Sequence, residues 1–174
     1  NMDDYPLKMH VFNRARLIKN SKNRIPYGVD LIQKYKRESW IVFTENKKQA
    51  KEFNKIINTK GFKSALYNTD LDSAERLENL NKFKKADLNV LVTCTALDEG
   101  FDMPEADGAL ILSASSSKRQ RVQRMGRVLR ITENKPNALI VTVYSSKTEF
   151  DKLMEEAKRY HKEGVPVSWK RQDR

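Results

Sequence analysis

Residues 89–104 read Asn-Val-Leu-Val-Thr-Cys-Thr-Ala-Leu-Asp-Glu-Gly-Phe-Asp-Met-Pro, and the fold follows most directly from this stretch. It begins with a short apolar run that ends in a polar residue, which is typical of a buried parallel strand. The run then opens into a segment with threonines at its start and a glycine, Gly100, further on. Doubly wound sheets bind ligands where such a strand ends, because backbone N–H groups collect at that edge. The stretch therefore predicts an α/β fold with a ligand site after residue 93.

Similar apolar runs lie on both sides of this stretch and alternate with amphipathic segments. Further strands are predicted at residues 40–44, 64–68, 108–113 and 137–144. Helices are predicted at about residues 46–59, 73–85 and 147–163. The second of these helices should bury a stripe formed by Leu77, Leu80 and Phe83. This alternation predicts a three-layer α/β domain with a mainly parallel sheet flanked by helices.

The two ends of the chain carry weaker patterns. Residues 1–37 are interpreted as a helical extension or linker, with helical pieces at about 8–20 and 26–36. Residues 38–165 are interpreted as the α/β domain itself. Residues 166–174 are predicted to be a basic, mobile tail, and we assign them no function.

The net charge of +11 and the pI of about 9.7 favour a polyanionic partner, most simply nucleic acid. An anionic membrane surface is the alternative. It is disfavoured because no basic amphipathic segment carries a face rich in Trp, Phe and Leu for insertion. No apolar run approaches the roughly 18 residues that a membrane-spanning helix needs.

Cysteine and histidine usage indicates the compartment and the metal content. The single cysteine, Cys94, rules out a disulfide within the chain and suits a reducing compartment. We therefore expect an intracellular protein, cytoplasmic or nuclear, and see no secretory signal at the N-terminus. His10 and His161 lie far from Cys94 in sequence, so no metal site is predicted.

Residues 118–130 form a second segment of interest, with six basic residues and no acidic one. On a helix, Val122, Met125 and Leu129 fall on one stripe that can pack on a core. The opposite arc carries Gln and Arg side chains. A solvated basic face is one interpretation. A phosphate site is the other, because Arg pairs bidentately with oxyanions and stays charged.

Residues 123–130 read Gln-Arg-Met-Gly-Arg-Val-Leu-Arg and resemble motif VI of superfamily 2 helicases and translocases. The resemblance implies that Arg127 and Arg130 are catalytic arginine fingers, which touch the γ-phosphate of ATP bound to a partner domain. It also implies a RecA-like fold of the P-loop NTPase type; the resemblance covers about residues 38–146 of the domain predicted at 38–165.

Two other stretches are similar to further motifs of the same superfamily. Residues 93–104 are similar to motif V, and the strand at 40–44 resembles motif IV. The resemblance implies ATP-side contacts at Gly100, Asp102, Gln123, Arg124, Arg127 and Arg130. It implies nucleic-acid backbone contacts at Thr44, Thr93 and Thr95.

Alternatives stay open at two of these positions. Thr95 could equally be a helix N-cap. Family members often have a His-Gly pair where this chain has Asn68-Thr69, so no nucleic-acid role is assigned to that loop.

A nucleotide motor also needs a phosphate cradle of the form Gly-x-x-x-x-Gly-Lys followed by Ser or Thr. None of the six glycines is followed by Lys-Ser or Lys-Thr. We therefore interpret the chain as the second motor domain of an ATP-dependent enzyme, inactive as an ATPase by itself. ATP and Mg²⁺ would be held mainly by a first, N-terminal RecA-like motor domain of the same parent protein.

With a leucine before its final arginine, the sequence at residues 123–130 resembles the motif VI variant of the xeroderma-pigmentosum B-like and restriction-type translocases. It favours double-stranded DNA as the partner, with RNA as the alternative. Two other classes remain open. One is a nucleic-acid-binding module without ATPase coupling, and the other is a protein-interaction adaptor built on a retired motor fold.

Overall fold

The computed structural model describes residues 9–14, 24–94, 104–113 and 138–171, with only the backbone for residues 9–14, 170 and 171. The strands in these ranges are β1 (Met9–Arg14), β2 (Trp40–Phe43), β3 (Ser64–Leu66), β4 (Val90–Thr93), β5 (Gly108–Ile111), β6 (Leu139–Tyr144) and β7 (Val167–Arg171). The helices are α1 (Arg24–Lys34), α2 (Lys47–Thr59), α3 (Ser73–Lys84) and α4 (Lys147–Lys162).

The strands form one parallel sheet in the order β3-β4-β2-β5-β6-β1-β7. Parallel neighbours need crossover connections, and helices supply them over both faces of the sheet. The predicted α/β class with a mainly parallel sheet is confirmed.

Alternate side chains of each central strand enter two separate cores. Trp40 and Val42 of β2 pack with residues of α1 and α2 on one face. Ile41 and Phe43 pack with α3 on the other face. Burial on both faces explains why these strands are continuous apolar runs in the sequence.

The predicted helices begin at side chains that cap them. Asn46 accepts the N–H of Gln49 at the start of α2, and Asp72 accepts the N–H of Glu75 at the start of α3. Ser146 and Glu149 form a reciprocal capping box at the start of α4. The helices predicted at 26–36, 46–59, 73–85 and 147–163 are confirmed within two residues at each end.

The helix predicted at residues 8–20 is wrong for the part that the structure describes. Residues 9–14 form β1, which lies between β6 and β7 and pairs in parallel with both. A strand in that position supplies backbone partners on both sides, and a helix there would leave those strand edges unpaired. Tertiary pairing therefore overrides a weak local helical pattern.

The mobile tail is also a wrong prediction as far as residue 171. Val167–Arg171 forms β7, the edge strand beside β1. Trp169 packs edge-on against Phe150 and Tyr144, with ring centroids 5.2 and 6.4 Å away. An aromatic cluster with this geometry stabilises the end of the chain against α4.

The prediction that Leu77 is buried in the helical stripe is also wrong, because Leu77 is 57% exposed. Leu80 and Phe83, from the same stripe, are buried. The stripe is one turn shorter than predicted, since α3 contacts the sheet mainly through its C-terminal half.

Trp40 is fully buried and lies directly opposite Gly108 on the neighbouring strand β5. A Cβ atom at Gly108 would lie 2.6 Å from Cε3 of the indole ring. The indole is held by the core around it, so the missing side chain at position 108 is a packing requirement.

We expect Gly108→Ala to lower the free energy of unfolding by about 1–3 kcal/mol, because the added methyl must displace a rigid ring. Chemical denaturation of both proteins measures the difference. Gly28→Ala is the matched control. Its Cβ would meet the flexible end of Leu112 at 2.9 Å, and alanine recovers up to ~1 kcal/mol of helix propensity. Equal stability of Gly108→Ala and wild type would contradict the packing argument.

Candidate functional site

The carboxyl ends of the parallel strands lie along one edge of the sheet, and polar side chains follow several of them. From β3 through β4 and β2 to β5, these residues are Asn68, Thr93, Thr44, Glu45 and Ser113. We call this set the edge row. Backbone pairing continues past the strand ends here, with Thr44 N–H donating to Thr93 O at 2.9 Å and Leu112 N–H to Phe43 O at 2.8 Å.

Thr44 and Thr93, both predicted as nucleic-acid contacts, are brought together at the middle of the edge row. They are only 1% and 2% exposed. The Thr44 hydroxyl donates to Asn46 O at 3.1 Å and lies 3.4 Å from Thr93 O. Thr44 therefore joins the end of β2 to the start of α2, and its contact with nucleic acid stays a prediction.

Asn68, to which the sequence assigned no role, has a defined one in the structure. It is fully buried, and its Oδ1 accepts the backbone N–H of Cys94 at 3.0 Å. Its own carbonyl accepts the N–H of Leu71 at 3.2 Å. Its Nδ2 has no hydrogen-bond partner among the described residues. Asn68 thus holds the point where the chain leaves β4 toward residues 95–103.

Glu45 and Ser113 link the ends of β2 and β5, and the sequence analysis did not identify them. The Ser113 hydroxyl donates to Glu45 Oε2 at 2.5 Å. Ser113 is 1% exposed and Glu45 is half-buried, so this charge-assisted bond is partly shielded from water. The pair fixes the point where the chain leaves β5 toward residue 114.

A buried ion pair lies beside the edge row, where β5 and β6 end. Arg24, the first residue of α1, donates through Nη1 to Leu112 O at 3.0 Å. Its Nη2 donates to Ser145 Oγ at 2.7 Å and lies 2.6 Å from both carboxylate oxygens of Glu149. The two side chains are 6% and 13% exposed. The Ser-x-x-Glu pattern at 146–149 was readable as a capping box, but its arginine partner was not.

Burial alone would raise the pKa of Glu149, but hydrogen bonds from Arg24 and from the Ser145 backbone bring it below its ordinary value of 4.5. Glu149 is therefore held as a carboxylate. Because the folded pKa is depressed, the stability from this ionisation is present above the ordinary value and is lost as the pH falls through the folded pKa.

Exposed cations flank the edge row on α2, which begins directly after it. Lys47, Lys48, Lys51 and Lys55 are exposed and fall within about a quarter of the helix circumference. The first turn of α2 holds no acidic residue to complement the helix dipole. Lys51 pairs with Asp70 at 2.9 Å, and this hydrogen bond is the main cause that lowers the pKa of Asp70.

The other predicted site residues lie outside the described ranges. They are Thr95, Gly100, Asp102, Gln123, Arg124, Arg127 and Arg130. The segments that contain them begin directly after Cys94 and directly after Ser113, so in the sequence each follows the carboxyl end of a strand of the edge row.

Two searches of the described ranges bear on other classes of site. No three His, Cys, Asp or Glu side chains within those ranges are grouped so that they could bind a metal ion. Among the helices found there, none has the length and hydrophobicity to cross a membrane.

The parallel sheet, its two helical layers and its polar carboxyl edge define a RecA-like α/β domain. The fold superimposes on a structure of the C-terminal domain of the DEAD-box protein Dbp5 with a TM-score of 0.75. That comparison covers 95% of this chain and 89% of the other at 19% identity, and a likeness at this identity shows the fold alone.

Residues 23–132 match the family described as the helicase conserved C-terminal domain, and this range spans more than half of the chain. The chain therefore belongs to that family, the second RecA-like domain of superfamily 2 helicases, as motifs IV to VI predicted.

Two curated relatives indicate the breadth of the family. The chain is 36% identical to DNA 3'-5' translocase XPB2 of Sulfurisphaera tokodaii, over 74% of this chain and 28% of the relative. It is 26% identical to ATP-dependent rRNA helicase RRP3 of Scheffersomyces stipitis, over 68% of this chain and 24% of the relative. The chain thus spans about a quarter of the length of these relatives.

We expect Asn68→Ala to lower the free energy of unfolding by about 1–3 kcal/mol, because the Cys94 N–H loses its acceptor in a buried setting. Chemical denaturation measures this loss, and amide hydrogen exchange at Cys94 should speed up in parallel. Asn58→Ala is the matched control. Its side chain also makes hydrogen bonds, but it is exposed, so water can replace them and the loss should stay within about 0.5 kcal/mol. Equal losses in the two variants would refute the assigned role of Asn68.

Proposed function

We propose that this chain is the second motor domain of an ATP-dependent nucleic-acid helicase or translocase that acts inside the cell. In this proposal it contributes arginine fingers and contacts to the nucleic-acid backbone. The observation that carries the proposal is the filled motif VI pattern at residues 123–130, within a matched helicase C-terminal domain.

The chemistry is divided between two domains. ATP, held with Mg²⁺ mainly by the first motor domain, supplies the phosphoryl group that is transferred to water. Arg127 and Arg130 place guanidinium donors against the charge that develops on that group in the transition state. They are permanently charged and forked, which suits phosphate oxygens better than lysine would. The chain's own sequence has no phosphate-cradling loop, so its arginines act on nucleotide bound elsewhere.

The nucleic-acid contact lies on the carboxyl edge and the adjoining face of α2. Thr44, Thr93 and Thr95 are the predicted backbone contacts at the edge. The lysines of α2 add an exposed array of positive charge beside them. Contacts of this kind bind phosphates and carry little sequence information.

Double-stranded DNA is the proposed partner. Leu129 before the final arginine supports it, as does the 36% identity to a protein named as a DNA translocase. RNA is the second candidate, because another relative is named as an rRNA helicase.

Arg127→Ala and Arg130→Ala should each lower kcat for nucleic-acid-stimulated ATP hydrolysis by ~10³–10⁵, the range known for arginine fingers. The assay uses a protein that contains this chain together with its first motor domain, and nucleotide affinity is measured separately. Affinity should change far less than kcat, because the first domain holds the nucleotide.

Arg121→Ala, in the same basic segment but outside the motif pattern, is the matched control and should hydrolyse ATP normally. Wild-type turnover in both Arg127→Ala and Arg130→Ala would refute the arginine-finger role. It would leave the segment as a binding or structural surface.

Binding to duplex DNA should weaken steeply with salt, by about 10- to 100-fold between roughly 50 and 200 mM for two to four phosphate contacts. Fluorescence anisotropy at several salt concentrations gives the slope. Lys47→Gln should reduce that slope by about one contact. Lys158 is an exposed lysine on α4 and belongs neither to the edge row nor to α2. Lys158→Gln should therefore leave the salt slope unchanged. A salt-independent affinity would rule out phosphate contacts, and tighter binding to matched RNA would select the second candidate.

A further inference from the structure

We propose that Arg24 is a positioning residue for the motor's arginine-bearing segment. It ties the end of β5, from which residues 114–137 leave the sheet, to the end of β6 and the start of α4. The inference depends on the proposed function, because it concerns how Arg127 and Arg130 are held in place.

Arg24 contacts the end of β5, the end of β6 and the first turn of α4, which all lie at least 88 positions from it in the sequence. Leu112, whose carbonyl accepts from Nη1, is one residue before the edge-row residue Ser113. Ser145, whose hydroxyl accepts from Nη2, directly follows the last residue of β6. Glu149 lies in the first turn of α4. One guanidinium therefore fixes the departure point of residues 114–137 relative to two neighbouring elements.

Local helix chemistry does not account for an arginine at position 24. A cation in the first turn of a helix opposes the helix dipole, and α1 has no acidic residue in that turn. Tertiary contacts instead account for an arginine at this position, since Arg24 is only 5% exposed.

Stability alone does not account for it either. A buried ion pair gains little net stability over well-packed apolar side chains of similar volume, because both charges lose their hydration. The pair instead fixes how the ends of β5 and β6 and the start of α4 are oriented relative to one another. It does so because a planar guanidinium sets both the distance and the angle of its hydrogen bonds.

Glu149 extends the same constraint into α4. Its Oε2 accepts the backbone N–H of Ser145 at 2.7 Å and that of Ser146 at 3.3 Å. The carboxylate thus holds the end of β6, the capping box of α4 and Arg24 at once. These hydrogen bonds outweigh the upward effect of burial on the pKa of Glu149, so the buried side chain remains a carboxylate.

The geometry at the end of β5 matters for the rate of ATP hydrolysis. A reacting group displaced by about 1 Å can lose on the order of 10²-fold in turnover. When Arg24 is removed, the Leu112 carbonyl loses its donor and Glu149 becomes an unpaired buried charge. The end of β5 is then less firmly held, and the arginines downstream of it meet the phosphate less accurately.

The test is steady-state ATP hydrolysis by a protein that contains this chain and its first motor domain, at a temperature well below the unfolding midpoint of every variant. Arg24→Met should lower kcat at least tenfold and leave KM for ATP within about twofold. Arg24→Lys, which restores the charge but not the fork, should recover part of the lost kcat. Lys158→Met, which breaks the exposed pair of Lys158 with Glu155, is the matched control and should keep the wild-type kcat.

Glu149→Gln covers the case in which Arg24→Met fails to fold. It keeps an acceptor oxygen for the capping box but removes the charge opposite Arg24, so it too should lower kcat with little change in KM. A lower unfolding midpoint with wild-type kcat in the folded variants would overturn the inference and leave Arg24 a purely structural residue.

Failure of this inference is distinguishable from failure of the proposed function. Unchanged kcat in both Arg127→Ala and Arg130→Ala would remove the arginine-finger function and this inference with it. A large loss in either of those variants, with none in Arg24→Lys, Arg24→Met or Glu149→Gln, would overturn this inference alone.

Discussion

The parallel alignment of the strands is the constraint on which the rest of the structure depends. Parallel neighbours cannot be joined by tight turns, so helices must cross over the sheet and cover both of its faces. The same alignment places the carboxyl ends of the strands, and the starts of α2, α3 and α4, at one edge. Thr44, Thr93, Asn68 and Ser113 meet there for that reason, although they are spread over 70 positions of the sequence.

The central sheet was predictable because its signal is local. The strands β2, β4, β5 and β6 are buried on both faces and appear as unbroken apolar runs. β1 and β7 were missed because they are defined by pairing with partners more than 120 positions away, which no local pattern records. Leu77 was misassigned for a related reason, since helical periodicity shows which face is apolar but not how far the sheet extends beneath it.

Some residues of the candidate site could also be predicted from the sequence, and others could not. Thr44 directly follows β2 and Thr93 is the last residue of β4, so their place at the edge could be inferred from the sequence. The partners Glu45 and Ser113, 68 positions apart, could not, and neither could Arg24 and Glu149, 125 positions apart. Hydrogen-bonded pairs of this kind depend on side-chain direction in three dimensions, and one sequence gives only the residue types.

Burial separates two tasks at the carboxyl edge. The described hydroxyl and amide groups of the edge row are almost fully buried, and those of Thr44 and Asn68 bond to backbone groups of the same edge. Such bonds hold the strand ends in register. The exposed lysines of α2 have the opposite properties, because they are open to solvent and charged. In the proposed function, long-range attraction of nucleic acid would therefore fall mainly to the surface of α2. The buried row instead holds the ends of β4, β2 and β5 in place, next to the points in the sequence where residues 95–103 and 114–137 begin.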